Sequence, residues 1–379
     1  MSTVRSVGGA ASAPVGSWGW VVSVTVHLSA GGATPAGRSV YYTTVEKPWS
    51  QGGPVSAGTV RIPTRPLGPG GPDVPVFALG SWNTWDRMAP DEAVALIRRA
   101  HEVGAAFFDV AHYDMGPHAE NARTDLLFGE AVRAAGLGRD DYLLCGKLWL
   151  WEYPEKSFAG QLDVSLDRVG VDRADLVVVG DYVGEVDVPR IVREVAEQIA
   201  AGRFDAWGVN NWAIRDVRTA LETAEAEGLT PPTFAQLKYG LVRRAMAEGS
   251  HYGELFADGT LALQASDVFE GGILAGKLSP ARKIGADVGG IRERIVAVYP
   301  EVERIAADLG ATPTQLGIAF ALAHPATANV LFGVSRLSQL EDNLGALELL
   351  DRVGAERLRE ATAGLWLDGA VAPDGTWAP

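Results

Sequence analysis

The feature that most constrains the fold is a regular alternation of short apolar runs with amphipathic stretches, from about residue 60 to residue 350. Several of the apolar runs have no polar face, which is typical of parallel strands covered by helices on both sides. The eight runs are Val74–Trp82, Ala105–Ala111, Tyr142–Leu148, Asp175–Asp181, Ala206–Asn211, Phe234–Tyr239, Leu261–Phe269 and Asn329–Ser335. Strands that alternate with helices predict an α/β fold with a parallel sheet.

The stretches between the runs have helical spacing, and several end at a glycine that can adopt the left-handed cap. The predicted helices are Pro90–Val103, Ala119–Ala135, Lys156–Val169, Val188–Ala201, Ile214–Glu227, Arg243–Leu255, Glu301–Leu309, Pro313–Ala323 and one that starts near Leu337. Eight strands, each followed by a helix, predict a (β/α)₈ TIM barrel. A doubly wound open sheet is the alternative, but it usually carries G-x-G-x-x-G after its first strand. This sequence has Gly80-Ser81-Trp82-Asn83-Thr84 there.

The start of the chain and its composition set further limits. Residues 1–58 are rich in small and polar residues, so we predict a disordered extension, followed by a barrel domain over residues 59–379. The net charge of −14 disfavours nucleic acid as a partner. Cys145 is the only cysteine, which excludes an intrachain disulfide and suits the cytoplasm. No apolar run approaches the ~20 residues that span a bilayer, so we expect no membrane partner.

Candidate functional residues follow from the barrel prediction, because the chemistry of such barrels lies at the carboxyl ends of the strands. The residues predicted to lie there include Trp82, Asp109, Lys147, Asn210, Asn211, Gln236, Ser266, Gly333 and Ser335. The set contains carboxylates, amides and one lysine. It lacks the histidines and cysteines that zinc needs, so we expect no metal.

These strand ends resemble those of the aldo-keto reductases in order and spacing, over about residues 60–350. Phe108-Asp109-Val110-Ala111 resembles the F-D-T-A of that family, and Gly208-Val209-Asn210-Asn211-Trp212 resembles G-V-S-N-F. The other matching residues are Leu79-Gly80-Ser81-Trp82, Lys147, Gln236, Gly272–Lys277, and Gly333, Ser335, Arg336, Gln339, Asp342 and Asn343. The resemblance implies a (β/α)₈ barrel of the aldo-keto reductase type that binds a nicotinamide cofactor.

The resemblance implies NADPH as that cofactor. The residues implied are Trp82, Asn210, Asn211, Gln236, Ser266, Gly333, Ser335, Arg336, Gln339 and Asn343. The amides suit the nicotinamide carboxamide. Ser335 and Arg336 precede a predicted helix, whose N-terminus favours a phosphate, and the guanidinium favours NADPH over NADH. Ser266 stands where many family members have a tyrosine that stacks on the nicotinamide.

The resemblance also implies a catalytic mechanism. In the family, hydride passes to a carbonyl, a tyrosine donates the proton, a lysine lowers the pKa of that tyrosine, and an aspartate pairs with the lysine. Asp109 and Lys147 match this pattern. The family spacing places the tyrosine at Asp114, one residue after Tyr113. Tyr113, Asp114 and His112 are therefore all candidate proton donors, and we favour Tyr113.

The family histidine that orients the carbonyl is missing, because Gly180 takes its position. We predict a substrate pocket formed by His112, Asp114, Trp149 and Asp181. The predicted function is NADPH-dependent reduction of a carbonyl, ketosugar or imine of a small molecule. Two alternatives remain open: non-redox chemistry such as elimination or isomerisation, and a non-catalytic nucleotide-binding subunit.

Overall fold

The structure is a computed structural model and describes residues 61–82, 84–114, 122–182, 184–279 and 290–368. The disordered extension predicted for residues 1–58 lies outside the described residues. The described part opens with an antiparallel hairpin of β1 (Thr64–Pro66) and β2 (Asp73–Pro75). Leu67 and Val74 of this hairpin are fully buried among side chains of the barrel interior, so the hairpin covers one end of the barrel.

Eight parallel strands form a closed barrel in the order β10-β3-β4-β5-β6-β7-β8-β9, which confirms the predicted fold. The strands are β3 (Phe77–Gly80), β4 (Phe107–Asp109), β5 (Leu143–Leu148), β6 (Leu176–Val179), β7 (Ala206–Asn210), β8 (Phe234–Lys238), β9 (Ala262–Ser266) and β10 (Thr327–Phe332). Each lies within or overlaps one of the eight apolar runs. The alternation of buried strands and amphipathic helices is therefore sufficient to predict the barrel.

Helices surround the barrel, and most begin and end close to the predicted residues. They are α1 (Pro90–Val103), α2 (Thr124–Ala135), α3 (Phe158–Val169), α4 (Val188–Ala200), α5 (Ile214–Glu227), α6 (Ala245–Glu248), α7 (Ser250–Ala257), α8 (Ile291–Asp308), α9 (Pro313–Leu322), α10 (Leu337–Val353) and α11 (Ala355–Ala361). In the described part of the chain, no helix has the length and apolar character needed to cross a membrane.

Two helix predictions were wrong. The single helix expected over Arg243–Leu255 is two helices, because Gly249 adopts an extended conformation between α6 and α7. The helix expected from Glu301 begins at Ile291 instead and continues through Pro300. Burial of Ile291 and Ile295 stabilises the additional turns.

The barrel interior changes from apolar to polar along the strands. Residues two apart in a strand point to the same face, so each strand presents a short series of side chains to the interior. Phe107 is followed by Asp109, Cys145 by Lys147, and Phe234 by Gln236. The first member of each pair belongs to the apolar interior cluster, and the second lies at the carboxyl end. The polar site is therefore built on rigid strands above an apolar base.

Candidate active site

The centre of the site is an amide that joins a carboxylate to an ammonium. Gln236 Nε2 donates to Asp109 Oδ2 at 2.9 Å, and Lys147 Nζ donates to Gln236 Oε1 at 3.1 Å. Asp109 and Gln236 are 3% and 2% exposed. Strands β4 and β8 lie on opposite sides of the barrel, so the Gln236 side chain spans the barrel axis. Three groups that the sequence predicts for the site are thus brought together.

This arrangement corrects one prediction and concerns a second. No ion pair joins Asp109 to Lys147 within the described ranges, because the Gln236 amide lies between the two charges. Gln236 was also predicted to hold the nicotinamide carboxamide. Its oxygen accepts from both Lys147 and Asn210, and its nitrogen donates to both Asp109 and Gln264. In this structure the four bonds use both lone pairs and both protons of the amide, and the contact of Gln236 with a carboxamide stays a prediction.

Two neighbouring amides have the free positions that Gln236 lacks. Asn210 Nδ2 donates to Gln236, whereas its Oδ1 accepts no hydrogen bond from any described residue. Asn211 Oδ1 accepts from the backbone of Lys238, whereas its Nδ2 makes no hydrogen bond to the described chain. One acceptor and one donor side by side are what a carboxamide requires. The left-handed φ of 52° at Asn211 is a conformation that asparagine tolerates better than most residues.

Tyr113, rather than Asp114, lies against the same side chain as Lys147. The Tyr113 and Trp149 ring centroids are 5.8 Å apart, and Lys147 Nζ is 5.4 Å from the Trp149 ring centroid. Tyr113 is only 4% exposed. Tyr113 and Lys147 therefore lie against the same indole ring, and the role of Tyr113 as the proton donor stays a prediction. Burial raises the pKa of the Cys145 thiol well above its usual value, so this neighbouring group stays protonated.

Asp114 and His112 face a different set of charges, on the outer side of the loop after β4. Asp114 Oδ2 lies 3.4 Å from both Lys156 Nζ and His112 Nε2. His112 Nδ1 lies 3.4 Å from Oδ2 of Asp125, which is 1% exposed and forms a bidentate pair with Arg168. Both ring nitrogens of His112 therefore lie 3.4 Å from a carboxylate oxygen. These contacts favour Tyr113 over His112 and Asp114 as the predicted proton donor.

Gly180 leaves no gap at the position of the missing histidine. A Cβ atom at Gly180 would lie 3.0 Å from Cε3 of Trp149, so the indole ring already fills this space. Trp149 itself is 4% exposed, which gives it little surface for the predicted pocket wall. Tyr182 donates to Asp216 and is not free to replace the histidine. Asp181 Oδ1 is buried and has no hydrogen-bond partner among the residues that the structure describes.

The start of α10 is the predicted phosphate site, and its backbone groups are partly used. Ser335 N donates to Gln339 Oε1 at 2.8 Å, and Leu337 N donates to Glu92 Oε1 at 3.0 Å. The sequence did not indicate Glu92, which lies 245 residues away along the chain. The exposed side chain of Arg336 forms no ion pair with any other described residue. The contact of Arg336 with a cofactor phosphate stays a prediction.

The remaining predicted cofactor residues have mixed environments. Ser266 is 8% exposed, and its hydroxyl donates to Leu237 O at 3.0 Å, which directs it to the backbone. A Cβ atom at Gly333 would lie 3.0 Å from Thr84 Oγ1, which is a tight contact. Asn343 is 3% exposed in α10. Trp82 packs partly buried beside Tyr113 and Trp149.

Sequence reasoning missed a charged cluster beyond β8 and β9. Lys238 donates to Asp267, and the fully buried Arg243 contacts Glu270 at 3.0 Å. Burial acts to raise the pKa of Asp267, but the positive charge of Lys238 outweighs it and holds the pKa below its usual value. Asp267 and Glu270 have positive φ angles of 53° and 48°. The glycine motif at 272–277 drew attention to this loop, but no local pattern indicated these pairings.

Comparison with known proteins gives consistent matches. The model of the aldo/keto reductase family matches residues 77–361. A putative voltage-gated potassium channel subunit beta from Schizosaccharomyces pombe is 24% identical over 325 residues, which cover 79% of this chain and 92% of the relative.

Two solved structures have the same fold as this chain. An aldo-keto reductase from Klebsiella pneumoniae in complex with NADPH has a TM-score of 0.63 and 20% identity, and the alignment covers 85% of this chain and 99% of that one. The thermostable aldo-keto reductase Tm1743, in complex with the inhibitor epalrestat, has a TM-score of 0.63 and 22% identity, with 79% of this chain and 98% of that one covered.

Proposed function

Because the chain belongs to the aldo/keto reductase family, we propose that it is an NADPH-dependent oxidoreductase that reduces a carbonyl, ketosugar or imine of a small molecule. The observation that carries the proposal is the Asp109–Gln236–Lys147 link at the carboxyl end of the barrel, with Tyr113 against the same indole as Lys147. When bound, the nicotinamide supplies the hydride. The chain supplies the proton and the electrostatic environment.

In the proposed reaction Tyr113 donates the proton to the substrate oxygen or nitrogen. The positive charge of Lys147 stabilises the phenolate that remains. Asp109 and Gln236 hold the lysine in place, so little reorganisation is needed when charge develops. The nearly complete burial of Asp109 and Gln236 excludes water from their link to the lysine, which strengthens these electrostatic interactions.

The residues that remain free fit the proposed cofactor. Asn210 Oδ1 and Asn211 Nδ2 would hold the carboxamide, since their other polar atoms are used within the protein. Arg336 would contact the 2′-phosphate and favour NADPH over NADH. The complex of the Klebsiella pneumoniae relative with NADPH supports this choice of cofactor. The buried free thiol of Cys145 supports the proposed location in the reducing cytoplasm.

Two measurements test the proposal. Titration with NADPH should quench the protein's tryptophan fluorescence, and the bound NADPH should be consumed with at least one member of a panel of aldehydes, ketosugars and cyclic imines. Lys147→Met should reduce this consumption at least about 100-fold and leave NADPH binding within a few-fold. Lys156→Met removes a 44%-exposed lysine from the same loop region and is the matched control. Failure of the wild-type protein to bind NADPH would refute the proposal.

A second candidate function is a nucleotide-binding subunit of a larger assembly. The name of the Schizosaccharomyces pombe relative, a putative channel subunit, favours it. This candidate predicts tight NADPH binding without consumption by any carbonyl compound. It also predicts that Lys147→Met leaves every measured property unchanged. The complete link from Asp109 to Lys147 favours the enzyme.

A further inference from the structure

The backbone around Gly180 is fixed beside the Trp149 ring. Gly180 N donates to Leu148 O at 2.7 Å, and Gly180 O accepts from Trp212 Nε1 at 2.8 Å. A Cβ atom would lie 3.0 Å and 3.5 Å from two ring carbons of Trp149 and 3.3 Å from Leu148 O. The glycine therefore cannot move away to make room, and any side chain at this position competes with the indole.

The indole is held as firmly as the glycine. Trp149 Nε1 donates to His112 O at 2.9 Å. The backbone of Trp149 is held on both sides by Gln161, which accepts from Trp149 N at 2.7 Å and donates to Trp149 O at 2.9 Å. Because the indole N–H is used by His112, the ring presents no hydrogen-bond donor to a substrate.

This fixed ring contacts both proposed catalytic groups. The Lys147 ammonium lies 5.4 Å from the ring centroid, within the range of a cation–π interaction, and the Tyr113 ring lies 5.8 Å away on the same indole. Both groups lose freedom of movement when they pack on a surface that cannot shift.

We propose that Trp149 is a positioning residue that fills the space beside Gly180 and holds Tyr113 and Lys147 in their working positions. The inference rests on the proposed function. The Trp149 ring takes the space that a side chain at position 180 would need, so glycine is favoured there. Position 180 then supplies no side-chain hydrogen-bond donor to the substrate.

The steric half of the proposal is tested by a double-mutant cycle that needs no substrate. Gly180→Ala should lower Tm by roughly 3–6 °C, because the added methyl group overpacks against the ring. In Trp149→Leu the same substitution should cost less than half as much. Gly146→Ala is the matched control, since its Cβ would have only an ordinary contact of 3.7 Å with Val177. If Gly180→Ala lowers Tm equally in the wild type and in Trp149→Leu, the proposed steric contact between Trp149 and Gly180 is overturned.

The positioning half is tested on the reaction itself. Trp149→Leu should lower kcat about tenfold, with less than a threefold change in KM or in NADPH binding, and should shift the pH dependence of kcat. Trp149→Phe retains a ring and should recover part of the loss. A pH profile that stays unchanged in Trp149→Leu would reduce Trp149 to a structural residue. If the wild-type protein reduces no carbonyl compound, the proposed function fails. The stability cycle still shows in that case whether Trp149 and Gly180 are in steric contact.

Discussion

Two sets of polar groups at the barrel mouth, which we call the closed half and the open half, differ in how many of their hydrogen-bonding atoms have partners within the protein. At the ends of β4, β5 and β8, Asp109, Gln236 and Lys147 are linked to one another. At the ends of β7 and β10, Asn210 Oδ1 and the Arg336 guanidinium have no partner among the described residues. The first half is closed on itself, as suits groups that must be preorganised. The second half is open, as suits groups that receive a ligand.

Two backbone N–H groups of the open half do have partners within the protein. Within the open half, Leu337 N and Ser335 N donate to Glu92 and Gln339. A phosphate would compete with these internal acceptors for the same N–H groups. The guanidinium of Arg336 thus becomes more important for anion binding than the helix N-terminus alone. The predictions below probe each half, from the largest expected effect to the smallest.

The largest effect is expected for the proton donor in the closed half. Tyr113→Phe should lower kcat at least about 100-fold, because a general acid contributes about 10²–10⁴-fold. Asp114→Asn and His112→Gln should each stay within about fivefold, since both side chains face Lys156 and Asp125 instead of Lys147. Steady-state kinetics on one carbonyl substrate compares the three. A larger loss in Asp114→Asn than in Tyr113→Phe would reverse the assignment.

Gln236→Leu should remove the hydrogen bonds that link Asp109 to Lys147 in the closed half. Hydrogen bonds to charged groups contribute about 1.5–3 kcal/mol, so we expect kcat to fall by about 10–100-fold. NADPH affinity should change less, because Asn210 and Asn211 remain. Gln264→Leu is the comparison variant, since Gln264 contacts Gln236 but neither charge. Fluorescence titration and kinetics measure both effects. Equal losses of NADPH affinity and turnover in Gln236→Leu would show that the two halves are not separate.

The contacts of Asp125 with His112 and Arg168 should make the stability of the protein sensitive to acid. Burial acts to raise the pKa of Asp125, but hydrogen bonds from His112 and Arg168 outweigh it and lower the pKa from 3.8 to about 2. The stabilisation is therefore present above pH 4 and is lost as the pH falls toward 2. It should amount to roughly 2 kcal/mol. Urea unfolding between pH 7 and 3 should show a steeper loss for the wild type than for Asp125→Asn.

An exposed ion pair provides the control for this measurement. Asp163 pairs with Arg203 at 2.8 Å, but its side chain is 66% exposed. Asp163→Asn should change the free energy of unfolding by less than about 1 kcal/mol. If Asp125→Asn is no more destabilising than Asp163→Asn at pH 7, the charged contacts of Asp125 do not stabilise the protein.

The smallest effect is expected in the open half. Arg336→Ala should weaken NADPH binding about fivefold and leave NADH binding nearly unchanged, because only NADPH carries the 2′-phosphate. The loss should shrink at high salt, since the contact is exposed. Competitive titration with the two dinucleotides provides the measurement. An equal loss for both would place the guanidinium away from the 2′-phosphate.

Most of the fold could be predicted from the sequence because it depends on local periodicity. Most strand runs are buried on both faces and most helices have one apolar side, so the pattern of the barrel is repeated along the chain. The exceptions are local too. Gly249 divides a predicted helix, and α8 begins ten residues before the predicted start.

The candidate site was harder to predict, because its contacts join distant segments. Asp109 and Lys147 lie at the strand ends that the pattern indicates. The amide between them comes from Gln236, which is 127 residues from Asp109. Gly180 was interpreted as a loss, because the sequence does not show that the Trp149 ring occupies its neighbourhood.

The position of Gln236 across the barrel axis has a consequence for access. The hydrogen bonds of Gln236 join side chains of opposite strands, so the barrel can widen at this level only if the bonds to Asp109 and Lys147 break. A larger guest molecule therefore cannot be admitted by spreading the strands. Selection of substrates by size must therefore come from the loops that follow the strand ends. To make the protein accept a wider range of substrates, those loops should be changed and the barrel strands left as they are.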